Sequence, residues 1–344
     1  MSVGSLFAGS VHPLDDIGFY TLTNERALLR HSNLSRCEMI LTTQCNFRCP
    51  YCRGAQAFSQ DCSGHIEYKV ATDVLKDWTD HGLRNVRFSG GEPMLYPHLK
   101  DLVRLAKRGG VERIAISTNG SFPFSRYTGL LSAGVNDFSI SLDACCSEDA
   151  DKMAGRRGVF ENVTSNIRRL SALTYVTAGT VLTGDRADRV ADVVMFAHSL
   201  GVSDIRIISA AQYSGVLFGL DKLPEHVLNA HPILRYRVHN LLRGRNVRGL
   251  SLADSDRCYL VRDDSAVAGH WHFPCVIYMR EGGEPIGRVG PDMTTERYEW
   301  SLAHNTHQDG ICVGNCLDCL VDYNNMAKLM GADTRITKRR VRHE

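Results

Sequence analysis

The alternation of short apolar runs with segments of helical period is the feature that most constrains the fold of this chain. From residue 36 onward, runs rich in β-branched residues predict strands near 37–43, 85–90, 113–118, 137–143, 174–183 and 204–209. Segments with the 3.6-residue period of amphipathic helices lie between them, at 70–81, 97–109, 125–133, 159–172 and 187–200. Repeated βα units of this kind form a parallel sheet. Six units suit a partial barrel or an open doubly wound sheet, and periodicity does not choose between them.

The pattern changes after residue 210, which indicates a second domain. A glycine-punctuated loop leads into a predicted helix at 223–243 and then into a region rich in Gly, Asp, His and Cys. A single core seldom grows beyond about 250–300 residues, and the chain has 344. We predict an N-terminal extension (1–35), an α/β domain (36–245) and a smaller C-terminal domain (246–344) with a basic tail. Within the last domain, "FPCVIYMREGGEPIGRV" predicts a β-hairpin that turns at Gly282-Gly283.

Composition limits the partners and the compartment. The formal charge of +2 and the 23% of charged residues are ordinary for a globular protein and indicate no nucleic-acid partner. No apolar run approaches the roughly 20 residues of a membrane span, and the N-terminus has no signal-peptide pattern, so we expect a cytoplasmic protein without a membrane partner. In such a reducing compartment, twelve cysteines are better explained as metal ligands or catalytic thiols than as disulfides.

Three of these cysteines occur in one short stretch, "CNFRCPYC", where Cys45, Cys49 and Cys52 have a C-x3-C-x2-C spacing. A cubane iron–sulfur cluster takes one ligand per iron, usually from four cysteines. Three thiols would therefore leave one iron open, and an open metal position is where a substrate or cofactor can bind. Zinc is disfavoured because structural zinc motifs supply a closed set of four ligands.

The stretch "CNFRCPYC" resembles the cluster-binding signature of the radical S-adenosylmethionine (radical SAM) superfamily, in which an aromatic residue, here Tyr51, precedes the last cysteine. Further motifs follow in the expected order: "SGGEP" at 89–93, "STNG" at 117–120 and "SISLD" at 139–143. The resemblance covers about residues 36–210. It implies an α/β fold in the form of a partial (β/α)6 barrel.

The resemblance also implies cofactors and an enzymatic reaction. A [4Fe–4S] cluster would bind S-adenosylmethionine (SAM) at its open iron, and an electron from a flavodoxin or ferredoxin would yield a 5′-deoxyadenosyl radical that abstracts a hydrogen atom from the substrate. Tyr51 belongs to the implied cofactor site. Glu92 and the backbone of Gly90 and Gly91 would hold the methionine end of SAM. Three residues near strand ends would face the adenosine or the substrate: Ser117, Asn119 and Ser141, the last at the ribose.

A second group of cysteines follows the predicted barrel: Cys258, Cys275, Cys312, Cys316 and Cys319. It resembles the SPASM/Twitch extensions of radical SAM enzymes, which carry auxiliary clusters, but it falls short of the seven or more cysteines of a full SPASM pattern. The resemblance implies one auxiliary [4Fe–4S] cluster. We assign Cys275, Cys312, Cys316 and Cys319 to it, which leaves Cys258 as a free thiol. An alternative set of Cys258, Cys275, Cys316 and Cys319 leaves Cys312 free.

A spare thiol beside a substrate radical can donate a hydrogen atom to the opposite face, which would make the reaction an epimerisation. Residues 18–54 resemble the opening of aminoglycoside epimerases, so the favoured prediction is an epimerase of an aminoglycoside-like small molecule with Cys258 as donor. A cationic aminosugar requires carboxylates around it. Six acidic residues near the second cysteine group are candidates: Asp254, Asp256, Asp263, Asp264, Glu281 and Glu284.

Three other functions remain open. A dehydrogenase of an aminoglycoside or cyclitol would pass its second electron to the auxiliary cluster and would need no thiol donor. A peptide-modifying maturase is disfavoured because about 36 residues before the first strand are too few for a leader-binding domain of the usual kind. A non-catalytic iron–sulfur module would have no use for the "GGEP" segment.

Overall fold

A computed structural model of the chain describes residues 34–53, 64–210 and 219–329. The predicted N-terminal extension up to residue 33 and the basic tail lie outside the described residues. All six predicted strands of the α/β region are confirmed, and adjacent ones pair in parallel. They are β1 (Arg36–Ile40), β2 (Asn85–Ser89), β3 (Arg113–Thr118), β4 (Asp137–Ser141), β5 (Tyr175–Leu182) and β6 (Asp204–Ser209).

Helices between these strands bury one apolar face against the sheet. In the first of them, Ala71, Val74, Leu75 and Trp78 form the buried stripe that a 3.6-residue period predicts. The helices of this part are α1 (Tyr68–Asp80), α2 (Leu99–Arg108), α3 (Phe124–Leu131), α4 (Ser147–Ala154), α5 (Phe160–Ser171) and α6 (Val190–Ser199). The fold is therefore the predicted α/β architecture with a parallel sheet.

The predicted helix at 223–243 is two helices, α7 (Glu225–Ala230) and α8 (Pro232–Leu242). Proline at the first position of α8 explains the break, because its ring has no N–H to donate and disfavours a helical conformation at the preceding His231. Four further helices follow: α9 (Val276–Arg280), α10 (Met293–Ala303), α11 (Gly310–Asn315) and α12 (Asp318–Leu329). None of the helices within the described ranges is long and apolar enough to cross a bilayer.

The region after residue 246 extends the sheet of the barrel. Strand β7 (Asp264–Ala268) pairs in parallel with β1, and β8 (Trp271–Phe273) and β9 (Gly287–Arg288) continue the sheet in antiparallel fashion. The order is β6-β5-β4-β3-β2-β1-β7-β8-β9. The predicted tight turn at Gly282-Gly283 is wrong, because helix α9 lies in the connection between β8 and β9.

The strands of the barrel have one apolar and one polar face. Val86, Phe88, Ile114 and Ile116 are buried in the core shared with the helices. The alternate positions of the same strands and their neighbours carry polar side chains that line a central cavity, among them Arg87, Ser117, Ser139 and Arg206. Because side chains alternate between the two faces of a strand, this arrangement makes the interior of the barrel polar.

Candidate active site

The three closely spaced thiols lie in the loop after β1. Cys45, Cys49 and Cys52 all line the central cavity, which has a volume of about 440 Å³. Cys45 and Cys52 are exposed and Cys49 is half-buried. Burial, followed by the charge of Asp143, raises the pKa of Cys49 to about 12. A metal ion displaces such a proton by supplying positive charge, so the donor set fits the three-thiol side of a [4Fe–4S] cluster.

The "STNG" motif contacts this loop through Asn119. Its side-chain amide donates to the Oδ1 of Asn46 at 2.7 Å and lies 4.0 Å from the Sγ of Cys45. The backbone amide of Phe47 also donates to that Sγ, at 3.4 Å. N–H donors directed at sulfur favour its thiolate form, which is the form that ligates iron.

The "GGEP" segment is hydrogen-bonded to the chain that leads into Cys45. The amide of Gly91 donates to the carbonyl of Thr42 at 2.7 Å, and that of Glu92 donates to the carbonyl of Gln44 at 2.8 Å. A Cβ at Gly90 would lie 2.4 Å from the Thr42 oxygen, and one at Gly91 would lie 2.3 Å from the Gln44 oxygen. Both positions therefore require glycine for this close backbone approach. Both residues line the cavity, and their contact with SAM stays a prediction.

The side chain of Glu92 has a different place from the one predicted. It is 0% exposed and does not line the cavity. Its Oε1 accepts hydrogen bonds from the amide of Met94 at 3.0 Å and the hydroxyl of Thr118 at 2.8 Å, and its Oε2 accepts one from the amide of Asn119 at 2.7 Å. With three internal donors, Glu92 fixes the "GGEP" segment to the "STNG" segment. This placement disfavours the predicted contact between the carboxylate and the methionine ammonium.

The other predicted cofactor residues lie around the cavity. The hydroxyl of Tyr51 donates to the Oδ2 of Asp143 at 2.6 Å, and the Oδ1 of Asp143 accepts from the amide of Val181 at 2.7 Å. These bonds hold the cysteine loop against the ends of β4 and β5. Ser141 is exposed in the cavity, and Ser117 lines it.

Four of the five later cysteines line one small cavity: Cys258, Cys275, Cys312 and Cys316. The Sγ of Cys275 accepts a hydrogen bond from the amide of Tyr278 at 3.4 Å, at the start of α9. The side-chain amide of Asn324 lies 3.9 Å from the Sγ of Cys258. This set differs from both predicted sets, because it contains Cys258 and Cys312 together and does not contain Cys319.

The raised pKa values of these four thiols fit a metal centre. Burial raises the pKa of all four thiols, and raises that of Cys275 to about 12. The negative charges of the neighbouring thiolates raise the pKa values of Cys312 and Cys316 further. Four thiolates in one apolar cavity repel each other unless a cationic centre compensates them, and a cubane cluster takes four such ligands.

A mixed ligand group borders this set. Ligand atoms of His304, Asp309 and Cys312 lie within 4.8 Å of one another. The carboxylate of Asp309 already caps α11 through the amides of Ile311 and Cys312, and it accepts a hydrogen bond from the hydroxyl of Tyr278. Because Asp309 has these structural partners, the four thiols are the stronger candidate metal ligands.

Cys319 belongs to the central cavity instead. It is 2% exposed, lines the cavity wall, and its Sγ accepts a hydrogen bond from Nη2 of Arg237 at 3.6 Å. Cys316 lies outside a helix at the end of α11, whereas Cys319 lies in the first turn of α12. The start of α12 directs the two side chains to different cavities, although the C-x3-C-x2-C spacing places them three residues apart. This placement favours Cys258 over Cys319 as a ligand and Cys319 over Cys258 as the free thiol.

The six acidic residues predicted around a cationic substrate are mostly elsewhere. The described side chains of Asp254, Asp256 and Asp263 bond to Ser251, Lys328 and Tyr323, respectively. Glu284 is exposed outside the cavity. Only Asp264 and Glu281 line it, and Glu281 forms an ion pair with Arg53. The arginines that dominate the cavity were missed, although the polar–apolar alternation of "NVRFS" and "DIRIIS" was a signal for inward-facing polar residues.

A parallel α/β barrel with three thiols after its first strand defines the class of this domain. The model of the radical SAM superfamily matches residues 39–198, so this part of the chain is similar to radical SAM domains. Domains of this superfamily take a [4Fe–4S] cluster and SAM as cofactors. The thiols and the "GGEP" segment described above fit both.

Curated relatives share this part of the chain. The chain is 29% identical over 204 residues to the GTP 3′,8-cyclase of Chlorobaculum tepidum, covering 56% of this chain and 61% of that protein. It is 31% identical over 184 residues to GTP 3′,8-cyclase 1 of Mycobacterium tuberculosis (strain H37Rv), covering half of each. The chain thus spans only about half to three fifths of the length of these relatives.

Solved structures agree in fold. SuiB of Streptococcus suis matches with a TM-score of 0.55 at 12% identity, over 77% of this chain and 66% of that one. The native anSMEcpe structure with bound AdoMet matches with a TM-score of 0.56 at 14% identity, over 90% of this chain and 100% of that one. At these identities the likeness shows the shared fold alone.

Proposed function

We propose that this protein is a radical SAM enzyme that abstracts a hydrogen atom from a substrate bound in the central cavity. The observation that carries the proposal is the convergence of the three thiols and the "GGEP" and "STNG" segments on one cavity. When bound and reduced, the cluster and SAM supply a 5′-deoxyadenosyl radical. A flavodoxin or ferredoxin is the proposed electron donor.

The chain's own residues position the cofactors and exclude water. Gly90, Gly91 and Asn119 fix the cysteine loop against the cavity, through the contacts described above. Helices α4 and α5 and the segment between them contribute an apolar wall of Met153, Ala154, Val159 and Val163. An apolar wall matters because a radical that abstracts unactivated hydrogen must be kept from other hydrogen donors.

We propose that the reaction is an epimerisation and that Cys319, rather than Cys258, donates the returning hydrogen atom. The support is geometric: Cys319 lines the central cavity and not the second one, whereas Cys258, Cys312 and Cys316 line only the second cavity and Cys275 lines both. After the first hydrogen is abstracted, homolysis of the Cys319 S–H bond gives the substrate radical a hydrogen atom on the opposite face. One electron from the reductant and one proton then restore the thiol.

A dehydrogenase is the second candidate. The four-thiol set would complete the ligands of an auxiliary cluster without Cys319. Such a closed set has no open position for substrate and suits an electron acceptor, which a dehydrogenase needs for the second electron of the substrate. The two candidates differ in whether hydrogen returns to the product.

The substrate is a small molecule or a peptide segment, and the predicted cationic aminoglycoside is not retained. That prediction required carboxylates around the substrate, and four of the six candidate residues lie outside the cavity. The curated relatives are named for the cyclisation of GTP. The compounds to be assayed therefore include GTP, together with neamine as a representative cationic aminoglycoside.

The test is an anaerobic reaction of the reconstituted protein in deuterated water with a panel of candidate substrates, followed by mass spectrometry. An epimerase adds one deuterium to the product, because a thiol exchanges its proton with solvent, whereas a dehydrogenase removes two hydrogens. Cys319→Ala should form 5′-deoxyadenosine but release no inverted product, and Cys146→Ala serves as the control. Full turnover by Cys319→Ala would exclude the thiol donor, and failure to form any 5′-deoxyadenosine would exclude the radical enzyme.

A further inference from the structure

The interior of the barrel carries more cationic than anionic side chains. Among the described residues, seven arginines line the central cavity against four carboxylates. The arginines are Arg36, Arg53, Arg87, Arg206, Arg237, Arg248 and Arg280, and the carboxylates are Glu38, Asp143, Asp264 and Glu281. A cavity lined mainly by one sign of charge concentrates ligands of the opposite sign.

Part of this positive charge is compensated by ion pairs. Glu281 forms an ion pair with Arg53 and lies 3.9 Å from Arg248. Glu38 lies 3.6 Å from Arg280. These pairs involve two of the four carboxylates and three of the seven arginines, and Arg237 forms a further ion pair with Asp318 outside the lining.

Two arginines face the interior from opposite sides of the barrel strands. Arg87 on β2 donates from Nη1 to the hydroxyl of Ser117 at 3.1 Å, and Arg206 on β6 donates from Nη2 to the hydroxyl of Ser139 at 2.8 Å. Arg87 is only 7% exposed. Between β4 and β6, Gly179 on β5 leaves room, since a Cβ there would lie 3.9 Å from Nη2 of Arg206.

The carboxylate nearest to Arg87 is shared. Asp137 accepts two hydrogen bonds from Arg113, at 2.9 and 2.7 Å, and lies 3.9 Å from Arg87. Burial, followed by the charge of Arg206, lowers the pKa of Arg87 to about 9, and burial also lowers the pKa of Arg206. Two buried guanidinium groups that repel each other are stabilised by an anion placed between them.

We propose that the substrate of this cavity carries an anionic group, a phosphate or a carboxylate, that binds to Arg87 and Arg206 beside the hydroxyls of Ser117 and Ser139. This inference rests on the proposed function, since it names the substrate class of the same cavity. The planar guanidinium group matches both oxyanions through paired hydrogen bonds. An ammonium group at this position would meet two cations.

The test is calorimetric binding to the reconstituted, SAM-saturated protein under anaerobic conditions. The probes are inorganic pyrophosphate, citrate and neamine, which represent the phosphate, the carboxylate and the cationic alternative. We expect pyrophosphate or citrate to bind, and the one that binds more tightly identifies the group. Arg206→Gln should weaken that binding about 10- to 100-fold, the equivalent of one charge-assisted hydrogen bond of about 1.5–3 kcal/mol.

Two further variants keep the result interpretable. Arg206→Lys keeps the charge but loses the paired geometry, so its affinity should be intermediate even if Arg206→Gln does not fold. Arg108→Gln changes an exposed arginine on α2 and should bind as the wild type does. Binding of neamine alone, binding of neither anion, or unchanged affinity in both Arg206 variants would overturn the proposal.

Anion binding that occurs in the SAM-free protein and is lost on saturation with SAM would also overturn it, because the arginines would then hold the carboxylate of SAM. The proposed function is tested separately in the same samples. Reductive formation of 5′-deoxyadenosine without substrate measures radical chemistry and does not depend on anion binding. A protein that forms 5′-deoxyadenosine but binds no anion contradicts only the substrate class.

Discussion

The carboxylate of Glu92 accepts a hydrogen bond from the backbone amide of Asn119 at 2.7 Å, which joins the ends of β2 and β3. The same Asn119 reaches Asn46 in the cysteine loop through its side chain. The carboxylate of Glu92 is therefore connected to the cysteine loop through Asn119, without lining the cavity itself. These contacts hold the "GGEP" and "STNG" segments together, and they determine what substitution of Glu92 should do.

Glu92→Gln should destabilise the protein by about 1–3 kcal/mol and weaken SAM binding. The NH2 group of glutamine adds a fourth donor to a site that already contains three donors, so at least one buried group loses its partner. Denaturant unfolding and equilibrium dialysis with SAM measure the two effects. Glu161→Gln, at an exposed position in the first turn of α5, is the control. Weakened SAM binding at unchanged stability would instead indicate direct contact between the carboxylate and SAM.

The stability of the protein should depend on pH through the same residue. Burial outweighs the three hydrogen bonds and raises the pKa of Glu92 from 4.5 to about 7. Between these values the folded protein binds a proton that the unfolded chain releases, so stability falls as the pH rises from 4.5 to 7. Unfolding at several pH values should show the wild type losing stability relative to Glu92→Gln across this window. A constant difference between the two proteins would contradict the raised pKa.

Iron content should show whether Cys258 or Cys319 is a ligand of the second cluster. With two cubane clusters, the reconstituted wild type should hold about eight irons per chain. Cys258→Ala should fall to about four, because it removes one of the four thiols around the second cavity, whereas Cys319→Ala should keep about eight. Iron analysis with Mössbauer spectroscopy measures both. Loss of iron from Cys319→Ala and not from Cys258→Ala would restore the ligand set predicted from sequence.

Gly91→Ala should impair both folding and SAM binding. The added methyl group would lie 2.3 Å from the carbonyl oxygen of Gln44, and backbone on both sides leaves little freedom to relax. Overpacking of this kind costs about 1–3 kcal/mol. Gly129→Ala, inside α3, has only the end of the Lys100 side chain nearby and is the matched control. Thermal unfolding and SAM dialysis should show losses in the first variant alone; equal behaviour of the two would contradict the described approach of the segments.

Local patterns in the sequence determined the barrel strands and the first thiol set. The six strands were predictable from runs such as "RIAIST", because their composition and length favour a strand whichever neighbour it pairs with. Cys45, Cys49 and Cys52 belong to one short loop, so their spacing alone brings them to one cavity. Neither conclusion needs knowledge of distant contacts.

Only the tertiary structure decided the second thiol set and the charge of the cavity. Cys258 meets Cys316 because β7 pairs with β1 and carries the chain that precedes it against α12, and no local period encodes that pairing. The alternating residues of a strand define two faces, but the sequence does not state which face meets the helices. Arg87 and Arg206 face the cavity because the apolar residues next to them in each strand pack against the helices on the opposite face of the sheet.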